Sequence, residues 1–103
     1  MPRNFEPWMN IIHVMRNIAE RKGRDYSAYI DNIGITGKIG CAARIMDKSS
    51  RIWNLCMKEL KGEDRSVSDE TILDTCVDLA NYAIFMVLLD KNKWDEFNGR
   101  SER

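Results

Sequence analysis

The feature that most constrains this chain is the placement of its 2 prolines, Pro2 and Pro7, after which none occurs. Proline removes a backbone donor and clashes with the preceding turn, so a long proline-free stretch is free to run as helix. Apolar residues then recur with the helical period. Trp8, Ile11, Ile12, Met15, Ile18 and Ala19 predict a first helix over 7–22, with Pro7 at its first position and Gly23 as its stop. Ile39, Ala42, Ile45, Met46, Ile52, Trp53, Cys56 and Leu60 predict a second over 38–61, pointing inward, with Gly62 as its end. Ser66 with Asp69 resembles a capping box, with Ser68 competing as cap, and predicts a third helix over 69–90. That helix either continues to Phe97 or breaks into a short fourth piece. Between the first two helices, 24–37 lacks one period over its length but carries tyrosines and isoleucines, and reads as an ordered connection that packs. The tail 98–103 is polar and expected to fray.

The fold class expected is all-α: three long helices and a possible short fourth, in a single domain over 1–103. With 44% hydrophobic and 31% charged residues, the composition is that of a globular protein. The third helix is apolar nearly all round from Leu79 to Leu89, and two other helices are too few to cover it. Completion of the bundle by a homo-oligomer, at least a dimer, is therefore expected. The alternative is a monomer wrapped by the 24–37 segment. The run 79–89 is too short to span a bilayer and holds Asn81 and Tyr82. The N-terminal MPRNFEPW has no apolar signal core. With Cys41, Cys56 and Cys76 each on an apolar stripe and no paired spacing, a reducing, cytoplasmic setting is expected. His13 is the only histidine, which leaves no zinc cluster.

Formal net charge is +0, so nothing drives non-specific nucleic-acid binding. The charges are segregated, however. Lys38, Arg44, Lys48, Arg51, Lys58 and Lys61 dominate the second helix, and Glu63, Asp64, Asp69, Glu70, Asp74 and Asp78 follow. Glu70, Asp74 and Asp78 sit four apart, an acidic stripe extended by Asn81 and Tyr82. Such a stripe repels itself and calls for basic side chains, a divalent cation or both. Asp78 lies where its helix is otherwise apolar, and a buried carboxylate needs a partner. Asp47, Arg51, Asn54 and Lys58 share one side of the second helix, with Arg44 and Lys48 flanking. Lys48 and Arg51 can pair with the acids or bind phosphate. Asp25, Tyr26 and Tyr29 lie in a loop able to close over this face, where a tyrosine can stack on a base. The simplest alternative is an inter-helix ion-pair network that fixes register.

At these residues the chain resembles the nucleotide modification associated domain 1 family, whose pattern runs D-Y-G, then D-K-x-x-R-x-x-N-L, then E-x-x-x-D-T-x-x-D-L-A-N-Y-A. Asp25 and Tyr26 match the first element, with Ser27 in place of the glycine. Asp47, Lys48, Arg51, Asn54 and Leu55 match the second, and Glu70, Asp74, Thr75, Asp78, Leu79, Ala80, Asn81, Tyr82 and Ala83 the third. That family is often found in phages and is distantly similar to all-α nucleotide pyrophosphatases of the MazG and dUTPase type. The resemblance implies an oligomeric helical bundle with a nucleotide ligand at Asp25, Tyr26, Asp47, Lys48, Arg51, Asn54, Asp74, Asp78, Asn81 and Tyr82. It implies a phage-type module that captures and sequesters a signalling nucleotide in the host cytoplasm, needing no cofactor. The alternative is a Mg²⁺-dependent nucleoside triphosphate pyrophosphatase with Glu70, Asp74 and Asp78 on the metal. Against it, the second helix lacks the carboxylate pair those enzymes use. A structural helical adaptor is the third reading.

Overall fold

The computed structural model describes residues 1–26, 30–63 and 71–100, with 24–26 described in backbone only. The described residues are helical without strands: α1 (Glu6–Tyr26), α2 (Asn32–Leu60), α3 (Ile72–Asp90) and α4 (Trp94–Phe97). The chain divides into two compact units, Met1–Asn32 and Ile33–Arg103.

The first unit is essentially α1. Its start is fixed by Asn4, whose side-chain oxygen accepts from the Glu6 amide at 3.0 Å. Its apolar residues Phe5, Trp8, Met9 and Ile11 stand exposed. The helix passes through Gly23, where the sequence predicted a stop, and ends at Tyr26. A glycine ends a helix by adopting the left-handed conformation. Gly23 does not adopt it, so it costs α1 only about 1 kcal/mol relative to alanine.

In the second unit, α2 is two helical pieces joined at Gly37, whose φ of 66° and ψ of −155° are non-helical. The predicted start at Lys38 is the restart after this break. The turns over 32–36 were hidden by Gly34 and Gly37. Thr36 then folds against Gly40, where an added Cβ would lie 2.5 Å from the Thr36 Cβ. The Thr36 hydroxyl accepts from Arg44 Nη1 at 3.2 Å, which braces the break.

The described ends share one device. After α2, Gly62 takes φ 71°, the Glu63 amide reaches back to the Lys58 carbonyl (2.9 Å), and the Gly62 amide to Glu59 (3.1 Å). Asn92 (φ 56°) after α3 and Gly99 (φ 73°) after α4 repeat the pattern. Each satisfies carbonyls that the helix leaves open. The start of α3 differs from the expected one. Thr71 is the N-cap, accepting from the Asp74 amide at 3.0 Å and donating to the Asp74 carboxylate at 2.7 Å. Ser66, Ser68 and Asp69 lie outside the described residues.

Helices α2 and α3 run antiparallel: Lys38 pairs with Asp90 at 2.8 Å, Arg44 lies over Tyr82 at 5.9 Å, and Lys48 meets Asp78 at 3.2 Å. As residue numbers climb on α2, those of their partners fall on α3. After α3 the chain reverses, and α4 sets Trp94 and Phe97 on Phe85, with ring centroids 5.3 and 6.1 Å away. Tyr82 joins from the other side at 6.2 Å.

The face of α2 turned to α3 differs from the predicted one. Cys41 and Leu55 are buried, with Ile45, Lys48 and Ile52 half-buried between them. Ile39, Met46, Trp53 and Leu60, expected inside, are 81%, 73%, 68% and 80% exposed, and Cys56 is exposed as well. The helix carries two stripes at helical spacing, and periodicity alone does not choose which one meets a neighbour.

Cys41 tests this packing. Burial pushes its thiol above the ordinary range, against the opposing pull of the Arg44 charge. In native protein, Cys41 is expected to resist alkylation by iodoacetamide at neutral pH and to react once urea unfolds the chain. Mass mapping of labelled thiols checks this. Rapid native labelling at Cys41 would contradict the packing.

Candidate functional site

A helix face with its neighbours three and four residues apart collects Thr75, Asp78, Asn81 and Tyr82 on α3. Thr75 is fully buried, Asp78 and Asn81 are buried, and Tyr82 is half-buried. Opposite them on α2 stand Arg44 and Lys48, one turn apart. Lys48 Nζ lies 3.2 Å from Asp78 Oδ2, with the two side chains 12% and 7% exposed. The Arg44 guanidinium lies over the Tyr82 ring and also donates to Thr36. Among the described residues, no fully buried side-chain nitrogen or oxygen lacks a hydrogen-bond partner. The seam between α2 and α3 is therefore polar, and its buried groups are satisfied.

The structure divides the residues that the sequence grouped. Lys48, Asp78, Asn81 and Tyr82 belong to the seam. Arg44, named from sequence only as a flanking charge, belongs there too, and Thr75 entered only through the family pattern. The signal for Thr75 is its position three residues before Asp78. Thr36 was not singled out, because it sits in a stretch read as connection. Asp47 and Arg51 are exposed and pair with each other along α2 at 3.8 Å. Asn54 is exposed. Asp74 is engaged by Thr71 at the start of α3. The side chains of Asp25 and Tyr26, and all of Tyr29 and Glu70, lie outside the described residues.

Chemically, the seam presents an ammonium and a guanidinium on one wall and a carboxylate, an amide and a phenol ring on the other. That set can neutralise a phosphate and accept from a base or ribose. No group of three or more His, Cys, Asp and Glu side chains among the described residues is placed to hold a metal ion. The predicted triad Glu70, Asp74 and Asp78 is only partly described: Asp74 accepts from the Thr71 hydroxyl and Asp78 holds Lys48.

Although the run 79–89 is short, α3 as a whole, Ile72–Asp90, is long and apolar enough by length and composition to cross a membrane. Its polar residues Thr75, Asp78 and Asn81 are buried, and Asp78 meets a cation of α2. Comparison with protein-family models, curated proteins and solved structures returned no match.

A buried ion pair is costly to break from one side and cheap to replace as a whole. Lys48→Met or Asp78→Leu alone is expected to destabilise the fold by about 3 kcal/mol, because each strands a buried charge. The double replacement is expected to return to within about 1 kcal/mol of the native chain. Urea unfolding of the four proteins measures the coupling. Additive losses would show that the two side chains do not share the seam.

Proposed function

We propose that this protein binds a nucleotide along the polar seam of α2 and α3 and holds it without cleaving it. The observation that carries the reading is the Lys48–Asp78 pair, buried between the helices one turn from Arg44 over Tyr82. A chain that needed only to fold gains little from a charge pair in this position, since well-packed apolar side chains would serve as well or better. Of the two sequence elements around Asp47–Asn54 and Asp74–Tyr82 that resemble the nucleotide modification associated domain 1 family, the first brings Lys48 to the seam and the second Thr75, Asp78, Asn81 and Tyr82, while Asp47, Arg51 and Asn54 stand exposed beside it. In this reading Lys48 and Arg51 neutralise phosphate, with Arg51 on the exposed rim one turn beyond Lys48. Asp78 and Asn81 hydrogen-bond the base or ribose, and Tyr82 provides a ring face. The protein acts in the cytoplasm, that of the host if phage-encoded, as a sponge for a signalling nucleotide.

The state of the carboxylates supports retention over hydrolysis. Mg²⁺ is usually held by carboxylates with open lone pairs, water and substrate phosphates. Asp78 faces an ammonium, and Asp74 accepts from the Thr71 hydroxyl. A fixed cation beside the ligand supplies the phosphate neutralisation that a metal would otherwise provide.

The test begins with purified protein, denatured and examined by mass spectrometry for released nucleotide. A panel of nucleoside mono-, di- and triphosphates and cyclic dinucleotides is then titrated with and without Mg²⁺. The expected result is one class bound and recovered intact after prolonged incubation in either condition. Arg51→Ala, a change at an exposed position, is expected to weaken binding about tenfold or more with unchanged thermal stability. Mg²⁺-dependent pyrophosphate release that Asp74→Ala abolishes would establish the hydrolase instead. Failure to bind any member of the panel would leave the seam a purely structural device.

A further inference from the structure

The side of α2 turned away from α3 carries a second pattern that the polar seam does not use. Ile39, Met46, Trp53 and Leu60 recur at intervals of seven, and all are more than two-thirds exposed. Between them, at the complementary heptad positions, stand Ala42, Ser49 and Cys56. Apolar positions spaced alternately by three and four along an uninterrupted helix make the seam of a coiled coil. Here one column is large and the other small.

We infer that this face is the dimer interface, covered by α2 of a second copy lying antiparallel. The pattern is self-complementary in that orientation alone. With the two-fold axis between Met46 and Ser49, Ile39 meets the partner's Cys56, Met46 the partner's Ser49, and Trp53 the partner's Ala42. Each of these three layers sets a large side chain against a small one, which packs to an even depth; Leu60 lies beyond them, because its counterpart in this register falls before the Gly37 break. A parallel pairing in register would stack Trp53 on its own copy and leave the Ser49 layer hollow. Charge agrees with the antiparallel arrangement. Lys38 comes beside the partner's Glu59 at each end, whereas in a parallel pair it would face the partner's Ala43 and meet no carboxylate. Lys38 is on the surface beside Asp90, with its side chain 59% exposed, and remains able to face a further carboxylate. Three large side chains per copy, each offering on the order of 100 Å², give with their small neighbours roughly 800 Å² over two copies, the scale of a small, reversible dimer. A two-fold contact of this kind closes on itself and does not propagate into a fibre.

Ile39→Cys in the full-length chain tests the register. The introduced thiol and Cys56 of the same helix are about 25 Å apart, too far to join within one chain. The antiparallel dimer brings each beside the other's counterpart. Mild oxidation is expected to convert most of this variant to a covalent dimer, while the native chain is not converted. Peptide mapping is expected to join the introduced thiol to the partner's Cys56. Light scattering should give a dimer mass for the native chain and a monomer mass for Trp53→Glu, with helical content unchanged. A monomeric native chain, a bridge between two introduced thiols, or a dimer that survives Trp53→Glu would each overturn the assignment.

Discussion

The contact between the Lys48 ammonium and the Asp78 carboxylate decides how α2 is rotated. Both side chains are nearly removed from water, so each charge needs the other, and the helices are locked at the angle that lets them meet. Lys38 with Asp90 and Arg44 over Tyr82 lie along the same line. The first of these is solvent-exposed and contributes little. The Lys48–Asp78 pair is the one that costs the fold when broken from one side, and the remaining contacts of the seam accord with the rotation it sets.

That rotation has a consequence on the outside. With Lys48 inward, the stripe through Ile39, Met46, Trp53 and Leu60 points away from α3. On α3 the same inversion holds: Thr75, Asp78 and Asn81 are buried, while Leu73, Ile84 and Val87 are about half exposed. The apolar side chains fully buried among the described residues are Ile33, Cys41, Leu55 and Val77, a small set for the length of these helices. A unit with polar groups at its seam and large apolar groups at its surface lacks much of the burial that usually stabilises a domain. The proposed second copy would restore that burial, with the small column of Ala42, Ser49 and Cys56 as its place to pack.

The sequence made the helices legible because the apolar period is strong and no proline interrupts it. It placed the end of α2 correctly, since Gly62 is followed by residues that cannot continue the stripe. It misplaced the end of α1 because Gly23 looks like a stop, yet only the backbone conformation makes a glycine one. It overlooked the helical turns before Gly37 because two glycines in four residues read as loop. Asp78 was correctly read as needing a partner, since a carboxylate amid apolar neighbours demands one. The choice of Lys48 over Arg51 was not legible. Both lie within reach of the α3 acids on a helix of unknown rotation, and spacing alone does not say which of the two turns inward. The division of α2 into a polar seam and a heptad stripe was hidden for the same reason: both stripes contain isoleucine at helical spacing.

One helix thus serves two surfaces. Its inner side holds the charged groups proposed to meet a nucleotide, and its outer side holds the stripe proposed to meet a second copy. The two are joined by a rigid body, because a helix rotates as a whole. A ligand that drew Lys48 away from Asp78 would leave a buried carboxylate without its cation, a state too costly to persist unless the ligand or a rotation of α2 compensates. A rotation large enough to do so would carry Ile39, Met46 and Trp53 out of register with their counterparts. In the proposed antiparallel dimer a ligand would therefore leave the Lys48–Asp78 pair in place and add to it, its phosphate reaching Lys48 from the rim where Arg51 stands exposed.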